Sequence, residues 1–389
     1  MNPRRFRWFR WPIAVILALS CLLTSCSLPQ VNAQERMFLG LSLEFVDEYT
    51  LPKQRFEDTP VGGLSGITYD RQRDRFYAIS DDRGYYAPAR FYTLKLILDS
   101  NSSEALRIKK IEVEDMTTLQ DEAGNPYAIG AINPEGIAFA APNSLFISSE
   151  GVSRKGIPPF LHEVNRETGA FLRNVPLPKR YLPDEKEKQT VGVQDNLGLE
   201  SLTLNPRGYG DASVNPYRLF TATEAPLLQD VDDPEAELAP KNRLLHYLIG
   251  DGPPVLISEN LYPLDNSARW SIYNGLTELL ALRQGGHLLS LERSFGLTGF
   301  GAKIFEITTG SATDTSRIAS LKGQLTKVEP VGKNLLFDLS ELGMAVDNLE
   351  GMTLGPVLPD GSESLIVVGD NNFNPDRGTQ FLLFRLRSR

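Results

Sequence analysis

From residue 34 onward, apolar positions fall in short runs, some alternating with polar residues and some continuous, and each run is bounded by Gly, Pro, Asn or Asp. No stretch keeps a helical period, so the pattern predicts an all-β chain of short strands and turns. One two-strand phrase then returns five times. Residues 63–68 lead to 76–81, 133–138 to 145–150, 198–203 to 219–224, 275–280 to 287–292, and 348–353 to 365–370.

A unit that recurs roughly every 70 residues is longer than a usual propeller blade of about 40–50, which leaves room for two further strands and long loops. Third and fourth strands are expected at residues 90–98 and 105–113, and at 160–164 and 171–177. The last copy has a third strand at residues 380–386 and no fourth before the chain ends. Residues 38–49 can supply it, so the expected fold is a β-propeller of about five four-stranded blades, closed by its N-terminal strand. A sixth, diverged blade has space within residues 299–341.

The N-terminus follows a different pattern. Four arginines lie in the first ten residues, and an apolar run at residues 13–23 follows, too short for a comfortable bilayer span. Residues 1–25 therefore read as a signal peptide, 26–37 as a linker and 38–389 as the propeller domain. Leu23-Thr24-Ser25-Cys26 resembles a bacterial lipobox, with Cys26 as the lipidated residue. Cleavage after Val31-Asn32-Ala33 is the rival, and Arg4-Arg5 gives a weak twin-arginine signal. The expected location is the periplasm or cell envelope, with membrane contact only through the lipid.

Composition narrows the chemistry. With 41% hydrophobic and 9% aromatic residues the chain can bury a full core, and its net charge of -9 argues against a nucleic-acid partner. Both cysteines, Cys21 and Cys26, fall in the export segment, which leaves the domain no disulfide or thiolate site. His162, His246 and His287 lack metal-ligand spacing. Ser65 lacks the glycine spacing and the strand-turn-helix setting of a nucleophile elbow, and no P-loop is present.

The acids are more informative. If strand one of each blade is innermost and strand two returns beside it, the start of the first and the end of the second share one mouth of the ring. Glu135, Glu200, Glu278 and Glu350 begin strand one, with Ser65 as the departure, while Asp81, Glu150, Glu224, Glu292 and Asp370 end strand two. So many carboxylates repel unless protonated, paired or bridged by a cation, and calcium suits an oxygen-only donor set. The plain alternative is that each acid takes backbone N–H bonds from a neighbouring blade and locks the ring. Basic residues recur in the loops leaving strand two, including Arg83, Arg154, Lys155, Arg293 and Arg377. Of these, Arg154 and Arg293 follow Glu150 and Glu292 within a few residues and are the expected substrate contacts, and such a set suits an anionic small molecule, with the acidic stretch 230–237 as a lid or partner surface.

The Glu-Gly and Glu-Ser turns, the strand end Ile79-Ser80-Asp81-Asp82 and the closing Val368-Gly369-Asp370-Asn371-Asn372-Phe373 resemble the bacterial phytase-like propeller family described as having esterase-like activity. The resemblance covers residues 40–389. β-Propeller phytases, similar in plan, hydrolyse phosphate monoesters with carboxylate-held calcium, although their longer aspartate-rich motifs are not matched here. The expectation is an extracytoplasmic, monomeric, calcium-dependent phosphate-ester hydrolase in which metal-activated water attacks phosphorus. The alternatives are a non-catalytic ligand- or protein-binding propeller and a metal-dependent lactonase.

Overall fold

The computed structural model describes residues 37–99, 106–184, 188–205, 216–265, 271–297 and 299–388. The expected export signal, Cys26 and nearly all of the expected linker lie outside the described residues. Strand β1 (Leu41–Leu51) is followed by a small hairpin of β2 (Gln54–Phe56) and β3 (Thr59–Val61). Four consecutive antiparallel blades come next. The first is β4 (Leu64–Asp70), β5 (Arg75–Ser80), β6 (Arg90–Asp99) and β7 (Arg107–Thr118), and the second is β8 (Pro134–Ala140), β9 (Ser144–Ser149), β10 (Phe160–Asn165) and β11 (Phe171–Val175). The third is β12 (Leu199–Leu204), β13 (Tyr217–Thr223), β14 (Lys241–Ile249) and β15 (Val255–Pro263). The fourth is β16 (Ser271–Ala281), β17 (His287–Gly296), β18 (Gly299–Thr308) and β19 (Gly332–Asp338).

The fifth blade is β20 (Asn348–Val357), β21 (Glu363–Asp370) and β22 (Thr379–Ser388), completed by β1. β1 pairs antiparallel with β22 from Leu41 opposite Ser388 to Leu51 opposite Thr379. The N-terminal strand thus closes the ring as the missing fourth strand required, and the last blade's edge is covered. The stretch 299–341 holds β18 and β19, outer strands of the fourth blade, so the described residues form five blades and no sixth. The innermost strands β4, β8, β12, β16 and β20 abut in sequence, and β20 returns to β4.

Side chains of a strand alternate between its two faces, and the inner strands are buried on both, as the unbroken burial along β5, β9 and β21 shows. Each blade has two apolar faces, and the hydrophobic core is divided into five clusters, one between each pair of neighbouring blades. Phe76 and Ile366 share the cluster between blades one and five, and Ile79 and Ile147 that between one and two. Each fully buried side chain of this kind stabilises the fold by about 1.5–3 kcal/mol. The long loops are tied down by charge. Arg243, wholly buried on β14, donates to Asp230 at 2.6 and 3.0 Å and pairs with Glu259, while Arg180 donates to the Ile318 carbonyl at 2.9 Å. The acidic stretch 230–237 is held by these pairs, with Asp232 on Lys241 and Asp233 on Lys322.

Candidate functional site

Every innermost strand carries a β-bulge at the same place. Leu64 faces Ser80 and Gly66 faces Ile79, which leaves Ser65 as the extra residue, and the same shift singles out Glu200, Thr277 and Glu350, while in the second blade it falls across Glu135 and Gly136. A bulge bends the strand and re-aims its extra side chain. The residue after it is Gly66, Gly136, Ser201, Glu278 or Gly351, and the strands come close there: a Cβ on Gly66 would lie 2.5 Å from the Glu135 carbonyl, and one on Gly136 would lie 2.6 Å from that of Glu200. Glycine is what permits this approach. Ser65 and Thr277, the two bulge residues without a carboxylate, turn their hydroxyls onto the backbone of the next blade, at Glu135 O (3.0 Å) and Leu349 O (3.3 Å).

Strand two ends opposite the residue two before the bulge. Asp81 bonds Gly63, Glu150 bonds Asn133, Glu224 bonds Gly198, and Asp370 pairs with Asn348. In the fourth blade the residue opposite Gly275 is Arg293. Arg293 therefore occupies the ring position that carries an acid in the other four blades. Its guanidinium donates to Glu350 at 2.7 Å on one side and pairs with Glu224 on the other. Burial works against its charge, and the carboxylates of Glu224, Glu350 and Glu200 overcome this and raise its pKa.

These positions converge on a cavity of about 390 Å³. Asp81, Glu135, Glu200, Glu224, Glu350 and Asp370 line it together with Arg83 and Arg293. Oxygens of Glu135, Glu150 and Glu200 lie within 4.8 Å of one another, all three residues being buried. Glu150 accepts from Asn133 Nδ2 at 2.7 Å and from the Gly198 N–H at 2.5 Å. Burial, and then the charges of their neighbours, raise the pKa of Asp81, Glu135, Glu200 and Glu350 well above the carboxylate range. Glu150 is pushed up to about 7 by burial and then by Glu224, and Asp370 to about 6 by burial, against the bond it accepts from the Asn372 N–H. Asp81 Oδ1 is buried without a hydrogen-bond partner among the described residues. An all-oxygen, electron-rich set of this kind fits a hard divalent cation.

Not every expected residue reaches the cavity. Glu278 follows the bulge instead of occupying it, and one residue's offset in a strand reverses the side chain's face. It accepts the N–H groups of Leu202, in the third blade, at 3.1 Å and of Leu279 at 2.9 Å. Glu292 likewise precedes the mouth position by one and takes bonds from Tyr262 Oη (2.6 Å), the Asp265 N–H (2.8 Å) and Lys333. Arg154 pairs with Asp195 at 2.8 Å, its side chain 82% exposed, and Arg377 pairs with Asp347 at 3.1 Å; neither lines the cavity, nor does Lys155. Arg83 does, and its Nε donates to Asn133 at 2.7 Å. The histidines are structural in setting: His162 stacks on Phe160 and His246 on Phe220, with burial lowering both to about 4.

Sequence reasoning missed the polar and aromatic lining: Asn133, Asn196, Asn348, Asp82, Tyr85, Tyr86 and Phe373. Asn133 and Asn348 begin two copies of the repeated phrase where the others have glycine, and that substitution was the available signal.

The family model for phytase-like proteins, described as esterase-like activity of phytase, matches residues 59–373. No curated protein gives a significant match. Among solved structures, the fold is similar to the catalytic domain of the Coprinopsis cinerea GH62 α-L-arabinofuranosidase, at 11% identity over 90% of this chain and 98% of that one, TM-score 0.39. The Podospora anserina α-L-arabinofuranosidase PaAbf62A, in complex with cellotriose, is 9% identical over 88% and 96%, TM-score 0.36. The Bacillus licheniformis GH43 protein BlXynB is 12% identical over 88% and 57%, TM-score 0.36. At these scores the likenesses bear on neither activity nor substrate. The family match spans every mouth position from Ser65 to Asp370, and the chain, a five-bladed propeller, belongs to the phytase-like family.

Proposed function

We propose that the mouth cavity is a hydrolytic site for phosphate esters that works with a bound divalent cation, calcium by the chemistry of its donors. The observation that carries this reading is the meeting of Glu135, Glu150 and Glu200 oxygens within 4.8 Å in a buried, repulsive setting. Glu135 and Glu200, which line the cavity with the unpartnered Asp81 Oδ1, and Glu150, which lies behind them within reach of both, are the residues to hold the cation. Bound there, it would supply Lewis-acid polarisation of a phosphoryl oxygen and activation of water for attack at phosphorus.

The chain's own groups do the rest. Arg83 commits Nε to Asn133 and one Nη to Asn196, which fixes the guanidinium at the cavity, and its other Nη, with no bond among the described residues, is placed to meet an anionic oxygen. Arg293 offsets the charge of Glu224 and Glu350, so a phosphate approaching the mouth meets less repulsion. Release of phosphate from a monoester by the purified domain, present with calcium and abolished by chelator or by Glu200→Gln, tests the reading. Equal turnover with and without chelator would refute it. We further propose that the chain is exported and anchored through lipidated Cys26; a mature protein beginning at Gln34 would contradict that.

A further inference from the structure

We propose that Tyr86 and Phe373, at the rim of the cavity, form a stacking face for a planar aromatic ring carried by the substrate, the ring's phosphate pointing into the carboxylates. This rests on reading the cavity as a phosphoester site. The two rings are already stacked on each other, with centroids 4.4 Å apart and planes at 24°, yet Tyr86 is 62% exposed. The outer side of Tyr86 is therefore open to solvent and can take a further ring in the same stacked geometry.

Two loops are rigidly built to present these rings. The buried Asp82 carboxylate collects the N–H groups of Gly84 (3.0 Å), Tyr85 (2.7 Å), Tyr86 (3.2 Å) and Ala87 (2.8 Å), and pairs with buried Arg90 at 2.8 Å. In the opposing loop Asn372 and Phe373 both adopt left-handed backbone, at φ 48° and 50°. Neither is glycine, and consecutive residues in this region persist only where their surroundings hold them. Here Asp370 accepts the Asn372 N–H at 2.7 Å and Asn371 accepts the Phe373 N–H at 3.1 Å. The strain sits where the ring is displayed.

The display is also joined to the reacting end of the cavity. A Cβ on Gly63 would lie 2.5 Å from the Phe373 ring and 2.2 Å from Asp81 Oδ1, so the aromatic edge and the unpartnered carboxylate oxygen abut the same point beside Gly63. Tyr85, which also lines the cavity and is 64% exposed, extends the aromatic rim. A ligand that fits both surfaces is an aryl phosphate: a flat face for the tyrosine and an anion for the cation and Arg83.

Calorimetry on the mature protein with calcium tests this, using the non-hydrolysable phosphonate analogues of 1-naphthyl, cyclohexyl and methyl phosphate, each named here by its parent ester. Naphthyl phosphate is expected to bind about tenfold more tightly than methyl phosphate, with cyclohexyl phosphate close to methyl. Tyr86→Leu should remove the preference and Tyr86→Phe should keep it; the exposure of Tyr86 makes loss of folding in these variants no concern. Equal binding of naphthyl and methyl phosphate, cyclohexyl binding as tight as naphthyl, or an unchanged preference in Tyr86→Leu would overturn the stacking face alone. No binding of any of the three would overturn the phosphoester reading together with it.

Discussion

Arg293 and Glu224 pair across the boundary between the fourth and third blades, each from the same ring position at the end of strand two. One blade thus replaces the carboxylate of the other four with the cation that two of its neighbours need. Removing one partner of a buried pair leaves the other charge uncompensated, at about 3–5 kcal/mol. Arg293→Gln is therefore expected to lower the stability of the metal-free protein by about that amount and Arg293→Lys by less, as urea unfolding in chelator would measure.

The crowded acids give the metal-free protein a defined pH dependence. A carboxyl whose pKa is higher in the folded than in the unfolded state binds more protons when folded between the two values, so stability falls as pH rises through that window. For Asp370 the window runs from 3.8 to about 6, and for Glu150 from 4.5 to about 7, with Glu135, Glu200 and Glu350 acting in the same sense. In chelator, the unfolding free energy is expected to decline from about pH 4 to about pH 7. Calcium is expected to flatten that decline.

Glu278 separates ring-locking acids from cavity acids. Its carboxylate accepts backbone N–H groups, one of them from the third blade, and it does not line the cavity. Glu278→Ala would strand those buried donors at about 1–3 kcal/mol each, while Glu278→Gln keeps an acceptor. Both variants are expected to bind calcium within about twofold of the wild type, since neither touches the cavity; binding titrations check this.

Five blades and the closing strand were legible because the phrase repeats and because the last copy lacked one strand, which β1 provides. The fourth copy shows where legibility stopped. In sequence, Glu278 and Glu292 look like the acids of their neighbours, yet the bulge falls on Thr277 and the mouth on Arg293. A strand's side-chain period is two, so an offset of one residue moves an acid from the cavity to the space between blades. Which residue bulges depends on pairing with the next strand, and composition does not encode it. Arg154 and Arg377 were close in sequence to mouth acids but were drawn off by Asp195 and Asp347 on neighbouring loops. Phe373 stands at the rim because Asn371 and Asp370 hold a left-handed turn that no local propensity announces.

Cation binding by the buried carboxylates is tested most directly by calorimetric titration of chelator-treated protein with calcium, run side by side on the wild type and on Glu135→Gln/Glu200→Gln. Both side chains face the cavity, and amides keep their volume while removing the charge. Saturable binding in the wild type, weakened by at least about a hundredfold in the double variant, is the predicted result. No heat of binding in the wild type, or equal affinity in the two proteins, would contradict it.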